Sequence, residues 1–215
     1  MDTLQSVAMA AGLAWASGIR LYAVLFVTGL VGMMGWVVLP EHIRILEHPL
    51  VLGAAGFMLF VEFFADKIPG VDTIWDIAHT FVRIPAGAAL AAGVFGADST
   101  VMTLVAGILG GMLATGSHFT KTGSRVLINT SPEPWSNWGA SLGEDALVMT
   151  ALWAALKYPL VLLALLALFL VIALWLLPRL FRAIVGLLRR MGLLLAPRRP
   201  QASAPPASPV PPAAP

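Results

Sequence analysis

The stretch that decides the fold is residues 160–177, LVLLALLALFLVIALWLL, which contains no charged residue and no Ser, Thr, Asn or Gln. About 20 apolar residues in a helix cross the hydrocarbon core of a bilayer. A transmembrane β-strand would instead alternate apolar and polar residues over about ten positions. Because backbone groups in lipid must hydrogen-bond to one another, only helices and closed barrels span membranes. The sequence therefore predicts an all-α integral membrane protein in contact with the lipid bilayer.

The composition of the whole chain agrees with this prediction. Of 215 residues, 59% are hydrophobic and 11% are charged, whereas a soluble domain is about 25% charged. The chain has no cysteine, which excludes disulfides and thiolate metal sites. The net charge of +2 does not indicate a nucleic-acid partner, because six of the thirteen basic residues lie at or beyond Arg179.

Hydropathy divides the chain into about six predicted transmembrane helices and a C-terminal extension. We expect a membrane domain over residues 1–178, a basic amphipathic surface helix over 179–195, and a disordered Pro/Ala-rich tail over 196–215. The predicted helices lie within 3–39, then at 49–65, 71–95, 100–119 with a broken continuation to 128, 139–156 and 159–177.

Short loops rich in Lys and Arg face the cytoplasm, and six spans place both termini on one side. Cytoplasmic termini put the tail arginines, Lys67, Lys121 and Arg125 inside and leave Arg44 and Lys157 outside. The sequence thus favours cytoplasmic N- and C-termini.

A weak internal similarity relates helices 1 and 4. Leu13-Ala14 and Ser17 match Leu113-Ala114 and Ser117. Two halves of three helices each would have opposite topology, and inverted repeats with broken helices are typical of transporters. Two inverted three-helix repeats are therefore an expectation to test.

The third helix carries the clearest candidate site. Asp72, Asp76, His79 and Arg83 are spaced 4, 3 and 4 residues apart, which places them within about 60° of one another along about 16 Å of helix. A charged stripe must face the bundle interior, a water-filled cavity or the cytoplasm. The alternative interpretation is a solvated helix end, which is harder to maintain for Arg83.

Two residues of the first two helices extend this candidate site. Arg20 follows Ser17-Gly18, so the helix either breaks at Gly18 and turns Arg20 into a cavity or ends there with Arg20 at the interface. Glu62 is the candidate partner of Arg20 or Arg83, whereas we expect Asp66 and Lys67 to be interfacial.

The fourth and fifth helices add further candidates. His118 opens a polar stretch that ends at Arg125, which either lines water, forms a broken segment or begins a loop. Glu144 and Asp145 either stabilise a helix N-terminus or join the site, and we expect Glu144 to point inward.

Enzyme chemistry has little support in the sequence. Asp76-x-x-His79 is a single carboxylate–His pair, whereas di-metal helical bundles use two such pairs. There is no Gly-x-Ser-x-Gly, Walker or zincin motif. No cofactor or metal is predicted, and an enzymatic activity is less favoured than its absence.

The blocks Gly18-Ile-Arg-Leu-Tyr22, Asp66-Lys-Ile-Pro-Gly-Val-Asp-Thr-Ile-Trp-Asp76 and His79-Thr-Phe-Val-Arg-Ile-Pro-Ala-Gly87 resemble the bacterial membrane family called domain of unknown function 4126. The resemblance covers about residues 4–158. It implies a bacterial membrane protein and implies nothing about mechanism. We expect the membrane to be the bacterial inner membrane.

The leading hypothesis from the sequence is a small transporter or lipid-flipping protein for an anionic substrate. Arg20 and Arg83 would bind an anionic small molecule or lipid phosphate, and Asp76 and His79 would relay protons, since His titrates near physiological pH. Glu62 and Glu144 would be counter-ions, with Asp72 and His118 in the same site. The alternatives are a membrane scaffold or assembly subunit and a metal-dependent membrane enzyme. A homo-oligomer is compatible with the sequence.

Overall fold

The computed structural model describes residues 2–96, 99–130 and 134–195. This part of the chain is helical and contains no strand, which confirms the all-α prediction. The elements are α1 (Thr3–Met33), a 3₁₀ helix (Glu41–Glu47), α2 (Pro49–Ala65), α3 (Val71–Phe95), α4 (Thr100–Ile128), α5 (Pro134–Lys157) and α6 (Pro159–Leu195).

Several helix boundaries follow from local chemistry. The Asp2 side chain accepts a hydrogen bond of 2.7 Å from the Gln5 amide at the start of α1, and Ser99 caps α4 in the same way, as N-cap residues do. Gly70 has a φ of +86°, which only glycine adopts readily. It allows the tight turn that joins α2 to α3.

Helices α2 and α3 begin and end where the sequence predicted. The prediction of a broken fourth helix was wrong, because α4 continues without a break to Ile128. Helix α6 also runs on through Pro178 to Leu195, so residues 179–195 continue the sixth helix instead of forming a separate element. Their position on the membrane surface remains a prediction, and residues 196–215 lie outside the described part of the chain.

Helix α1 is not straight. Arg20 has φ −140° and ψ 76°, the one non-helical conformation inside the element. Met9 and Val31 line the same cavity, although a straight helix would separate them by about 33 Å. The helix therefore folds back at Arg20 into a hairpin with a first limb before Arg20 and a second limb after it, two residues from the predicted break at Gly18.

The helices of the bundle run between two ends, which are defined here by the residues that meet at each. Gln5, Trp36 and Lys157 lie together at one end, here called the Gln5 end. Asp72 and Asn129 meet at the other end, here called the Asp72 end. Helix α5 runs from Ser141 beside Arg20 to Leu156 beside Gln5, and α6 then returns toward the Asp72 end.

This course separates the two ends of the described chain. The start of α1 lies at the Gln5 end, whereas α6 passes Gly116 and then Gly123 of α4 on its way to the Asp72 end. The first limb of α1 and α4 run in the same direction, because Ala14 lies beside Gly110 and Ile19 beside Lys121. The inverted repeat is therefore not confirmed, and the chain ends differ from the six-span prediction, in which they share a side.

Small residues allow α1, α3 and α4 to cross closely. A Cβ added at Gly18 would overlap the Ser117 side chain and the Ala114 carbonyl, and one added at Gly87 would lie 2.6 Å from Ser17 Oγ. Ser117 Oγ also donates a 2.7 Å hydrogen bond to the Trp15 carbonyl. Small residues at helix interfaces are typical of membrane bundles, and here they bring α3 and α4 against the hairpin turn of α1.

Four of the described helices, α1, α3, α4 and α6, are long and apolar enough to cross a membrane, or five if the bent pair formed by the 3₁₀ helix and α2 counts as one span. Helix α1 reaches this length only when its two limbs are counted together. Six spans are not confirmed, since α5 is not among these helices. Large apolar side chains cover the outside, including Phe81 at 83% exposure and Leu174 at 76%. Such a surface is costly in water and suits lipid, so the chain is a multi-pass membrane protein.

Candidate functional site

The centre of the bundle holds a network of buried ion pairs. It brings together the hairpin turn of α1, the end of α2, the first half of α3, the last turns of α4 and the first turns of α5. Its cations are Arg20, Arg83, Lys121 and Arg125, and its carboxylates are Glu62, Asp66, Asp72, Asp76, Glu144 and Asp145. We call these ten residues the ion-pair network.

Arg20 joins the hairpin turn to α2 and α5. Its guanidinium lies 2.8 Å from Asp66 and 3.0 Å from Asp145, and the Arg20 side chain is fully buried. It also donates to the Ser141 hydroxyl at 2.7 Å and to the Ser141 carbonyl at 3.1 Å. The planar guanidinium offers five donors in a fixed fork, which suits a residue that must satisfy several partners at once.

Lys121 is the hub of the ion-pair network. Its Nζ lies 2.9 Å from Asp66, 3.3 Å from Asp76 and 3.4 Å from Glu144. It also donates at 3.1 Å to the Ile19 carbonyl beside the break in α1. One ammonium therefore connects α2, α3, α4 and α5 with the hairpin turn.

Arg83 forms the deepest part of the ion-pair network on α3. It donates to Asp76 Oδ1 at 2.6 Å and to Glu62 Oε1 at 2.5 Å, and all three side chains are fully buried. Arg83 lies 12 residues after the start of α3, about 18 Å along the helix. An ionised group at this depth is expensive in lipid unless it is paired, and these two carboxylates supply the pairing.

At the Asp72 end, amide side chains hydrogen-bond to residues of the ion-pair network. Asn129 donates to both oxygens of Asp72, at 2.8 and 3.0 Å. Arg125 donates to Glu144 at 3.0 Å and to the Asn137 side chain at 3.1 Å. These bonds fix the C-terminal end of α4 against α3 and α5.

Carboxylates outnumber cations in the ion-pair network. Six carboxylates face four cations, a balance of −2 if all are ionised, and Lys67 at the edge would reduce it to −1. Buried oxygens without a hydrogen-bond partner belong to Glu62, Asp66, Asp76 and Glu144. Uncompensated negative charge in a low-dielectric interior attracts a cation or retains a proton.

The pKa of Asp66 shows how strongly the cations act. Burial by itself would raise the pKa of this carboxyl, but Lys121 and Arg20 outweigh burial and hold the pKa below its usual range. Asp66 is therefore ionised at neutral pH. The excess negative charge must be accommodated by the other carboxylates.

Most of the predicted site residues come together. The ion-pair network contains Arg20, Glu62, Asp72, Asp76, Arg83 and Glu144. Of the two partners that the sequence allowed for Glu62, Arg20 and Arg83, the structure pairs it with Arg83. Asp145, for which the sequence allowed only a helix-terminal role or a place in the site, also joins through Arg20.

The two candidate histidines lie beside the ion-pair network and form no ion pair among the described residues. His79 is half-buried, stacks on Trp75 with 4.1 Å between ring centroids, and shares a 3.1 Å hydrogen bond with the Tyr22 hydroxyl. His118 is fully buried and bonds to Thr80 Oγ1 at 2.8 Å. His79 shares the helical face of Asp76, and its hydrogen bond to Tyr22 directs it toward α1.

Sequence reasoning missed the buried partners at the ends of α2, α4 and α5. The prediction that Asp66 is interfacial was wrong, because its side chain is fully buried between Arg20 and Lys121. Within the polar stretch from His118 to Arg125, the buried side chains of His118, Lys121 and Arg125 form the inner face of α4. The signal was helical spacing, since Lys121 and Arg125, like Asn137 and Ser141, are four residues apart and share a helix face.

Among residues 2–96, 99–130 and 134–195, no group of three or more His, Cys, Asp or Glu side chains could hold a metal ion.

Comparisons with known proteins add one finding. The model of the family described as "Domain of unknown function (DUF4126)" matches residues 7–179. No curated protein and no solved structure matches the chain.

Proposed function

Because this chain belongs to the DUF4126 family, whose description names no activity, we propose a function from the site alone: a small membrane transporter whose ion-pair network binds a proton together with an anionic substrate. The observation that supports the proposal is the coexistence, in one buried cluster, of arginines paired with carboxylates and of carboxylate oxygens that accept no hydrogen bond.

The proposed coupling follows from the contacts of Arg83. With Glu62 and Asp76 ionised, both terminal nitrogens of its guanidinium are occupied, and its Nε is buried, so an anion has no access to it. Protonation of either carboxyl weakens its attraction to Arg83 and leaves donors free for an anionic group. Proton binding and anion binding would then favour each other, which is a coupling free energy between two ligands.

The hairpin of α1 supplies a second argument for transport. Irregular backbone at membrane depth is tolerated where it is buried in protein or lines a cavity, and broken helices at the binding site are typical of secondary transporters. The residue at the break, Arg20, is itself a cation of the ion-pair network, and the carbonyl of Ile19 just before it accepts a hydrogen bond from Lys121. Movement of the hairpin would therefore change both the charge and the access of the site.

We further propose that the Asp72 end faces the cytoplasm of a bacterial inner membrane. Lys67 lies at this end, and α6 carries Arg182, Arg189 and Arg190 toward and beyond it. Arg44 and Lys157 belong to the Gln5 end. This asymmetry follows the positive-inside rule and would place the start of α1 on the outer side.

The proposal is tested by thermal unfolding of the purified full chain in detergent, at pH 5.5 and pH 7.5, with phosphate, pyrophosphate, isoprenoid phosphates and carboxylates. A ligand that binds only the folded state raises the melting temperature. We expect one anion class to raise it more at pH 5.5 than at pH 7.5, and Arg83→Gln to abolish the rise. Arg44→Gln, which removes a cation outside the ion-pair network, is the matched control and should retain it.

Flux is then measured in proteoliposomes that contain a trapped pH-sensitive dye. The anion identified by unfolding should acidify the lumen when added outside, and Glu62→Gln should uncouple this proton movement from anion uptake. Anion uptake without proton movement in the unmodified protein would overturn the coupling.

A scaffold remains the second candidate, favoured by one observation: the ion-pair network already ties five segments together. If no anion stabilises the protein at either pH and Arg83→Gln only lowers stability, the scaffold interpretation replaces the transporter. Neither the transporter proposal nor the scaffold proposal requires a homo-oligomer, which stays a prediction.

A further inference from the structure

A groove at the Gln5 end is separate from the ion-pair network and has a different chemistry. Its inner part, of about 220 Å³, lies between the two limbs of α1 and α5 and is lined by apolar side chains that include Met9, Leu13 and Leu152. Its outer part, of about 550 Å³, is lined by Gln5 and Lys157 together with Trp36. Val31 and Trp153 line both parts, so the two form one continuous groove, here called the Lys157 groove.

The polarity of the Lys157 groove changes along its length. Apolar walls lie inside, and a cation lies at the mouth. The described residues give Lys157 no carboxylate partner, and its Nζ lies 5.8 Å from the centre of the Trp153 ring. An ammonium that has no carboxylate partner and lies beside an apolar channel is complementary to a ligand with an anionic head and an aliphatic chain.

The tryptophans indicate the depth of the mouth. Trp36 is 73% exposed and Trp153 is 58% exposed. Tryptophan side chains concentrate at the level of the lipid headgroups. The mouth of the Lys157 groove therefore lies where lipid phosphates lie, and its apolar part continues toward the hydrocarbon.

Helix α6 leads the chain away from the Lys157 groove. Helix α6 starts at Pro159, beside the groove, and has 37 residues, which carry the chain about 55 Å toward the opposite end of the bundle.

We propose that the Lys157 groove binds an anionic phospholipid, with one acyl chain between the limbs of α1 and the phosphate at Lys157. The site is independent of the proposed transport site, because it shares no residue with the ion-pair network. An acyl chain would fill the space between the limbs and hold the hairpin together at its open end.

The test uses the purified, delipidated full chain and native mass spectrometry, which counts bound lipids. Three probes separate the two recognition elements: dioleoylphosphatidylglycerol has chains and phosphate, dioleoylglycerol has chains alone, and glycerol 3-phosphate has the phosphate alone. We expect one phosphatidylglycerol per chain, binding about tenfold more tightly than dioleoylglycerol, which corresponds to about 1.4 kcal/mol. Glycerol 3-phosphate should not bind measurably.

Two variants assign the binding to the groove. Lys157→Gln should remove the preference for phosphatidylglycerol over dioleoylglycerol, whereas Arg44→Gln, a cation at the same end outside the groove, should preserve it. Val31→Trp should fill the junction of the two parts and weaken both lipids. The melting temperature of each variant without lipid confirms that it is folded.

Three results would overturn the proposal. Phosphatidylglycerol binding that survives both Lys157→Gln and Val31→Trp places the lipid elsewhere. Binding of glycerol 3-phosphate as tight as that of the whole lipid removes the role of the apolar part. A chain that is dimeric, binds no lipid and becomes monomeric with Val31→Trp shows that a second copy occupies the groove.

Discussion

Replacement of Arg83 by methionine tests whether the ion-pair network is as tightly connected as its distances indicate. The substitution keeps an unbranched side chain but removes the partner of Glu62 at 2.5 Å and of Asp76 at 2.6 Å. Breaking a buried ion pair by removing one partner costs about 3–5 kcal/mol. This is a large part of the stability of a typical protein, about 5–15 kcal/mol.

The two carboxylates should respond differently to the loss of Arg83. Asp76 retains Lys121 at 3.3 Å, whereas the described residues offer Glu62 no second cation. Glu62→Gln in the Arg83→Met background replaces an unpaired charge by a neutral amide, whose unsatisfied burial costs about 1–3 kcal/mol. We therefore expect it to restore about 2 kcal/mol of the lost stability, and Asp76→Asn in the same background to restore less.

The assay is reversible unfolding in mixed micelles, with the free energy of unfolding measured for the single variants and the two double variants. Arg44→Met is the control, because Arg44 is exposed and donates to the Leu39 carbonyl at 3.3 Å. The reasoning fails if Arg83→Met costs no more than Arg44→Met. It also fails if Asp76→Asn rescues as well as Glu62→Gln, because the two carboxylates would then be equivalent.

Three further predictions concern packing, pH and the hairpin. Gly18→Val should destabilise the protein by about 1–3 kcal/mol or more through overpacking. Gly53→Ala, where a Cβ meets nothing within 4 Å, should instead stabilise it by about 0.5–1 kcal/mol. Both free energies of unfolding are measured in the same assay, and equal effects would contradict the close crossing of α1 and α4 at Gly18. Because the pKa of Asp66 is lowered in the folded protein, its contribution is present above its ordinary pKa of about 4 and is lost as pH falls through the lower folded value. The melting temperature should therefore fall more steeply below about pH 4 in the unmodified protein than in Asp66→Asn, and parallel curves would refute this. In this cysteine-free chain, the double variant Met9→Cys with Val31→Cys should form an intramolecular cross-link with a thiol reagent of about 10 Å reach, because the hairpin brings the two positions together. A straight helix would hold them about 33 Å apart, too far for the reagent. The cross-link is detected by mass spectrometry, and its absence in folded protein would exclude the hairpin.

The sequence predicted the helices better than their arrangement. The helix bounds at 49–65 and 71–95 followed from hydropathy and from the Pro-Gly turn. The fold-back at Arg20 was not foreseen as a hairpin, since small residues and one arginine are compatible both with a kink and with a helix end. The direction that the chain takes after Arg20 depends on which helices pack together, and a single sequence does not contain that information.

In the candidate site, too, the features of single helices were predicted better than the contacts between helices. Asp76 and Arg83 were found because they share one face of one helix, and Glu62 because it is a lone acid in an apolar segment. Asp66 was assigned to the interface, and Lys121 was left in a stretch that could line water, break or begin a loop, because each lies near a helix end among other polar residues. Their burial arises from tertiary structure: five helical segments converge at one level, so residues near separate helix ends become the centre of the bundle.

The hairpin turn at Arg20 also imposes an order on biosynthesis. Arg20 is synthesised 121 residues before Ser141, its partner on α5. At a ribosomal rate of about 5–20 residues per second, the two are separated by about 6–24 s. During this interval the nascent chain holds an arginine in a segment destined for the membrane without its α5 ligands. The hairpin therefore acquires these ligands only after α5 has been synthesised, while α6, which packs against the first limb of α1 at Gly12, is still to come.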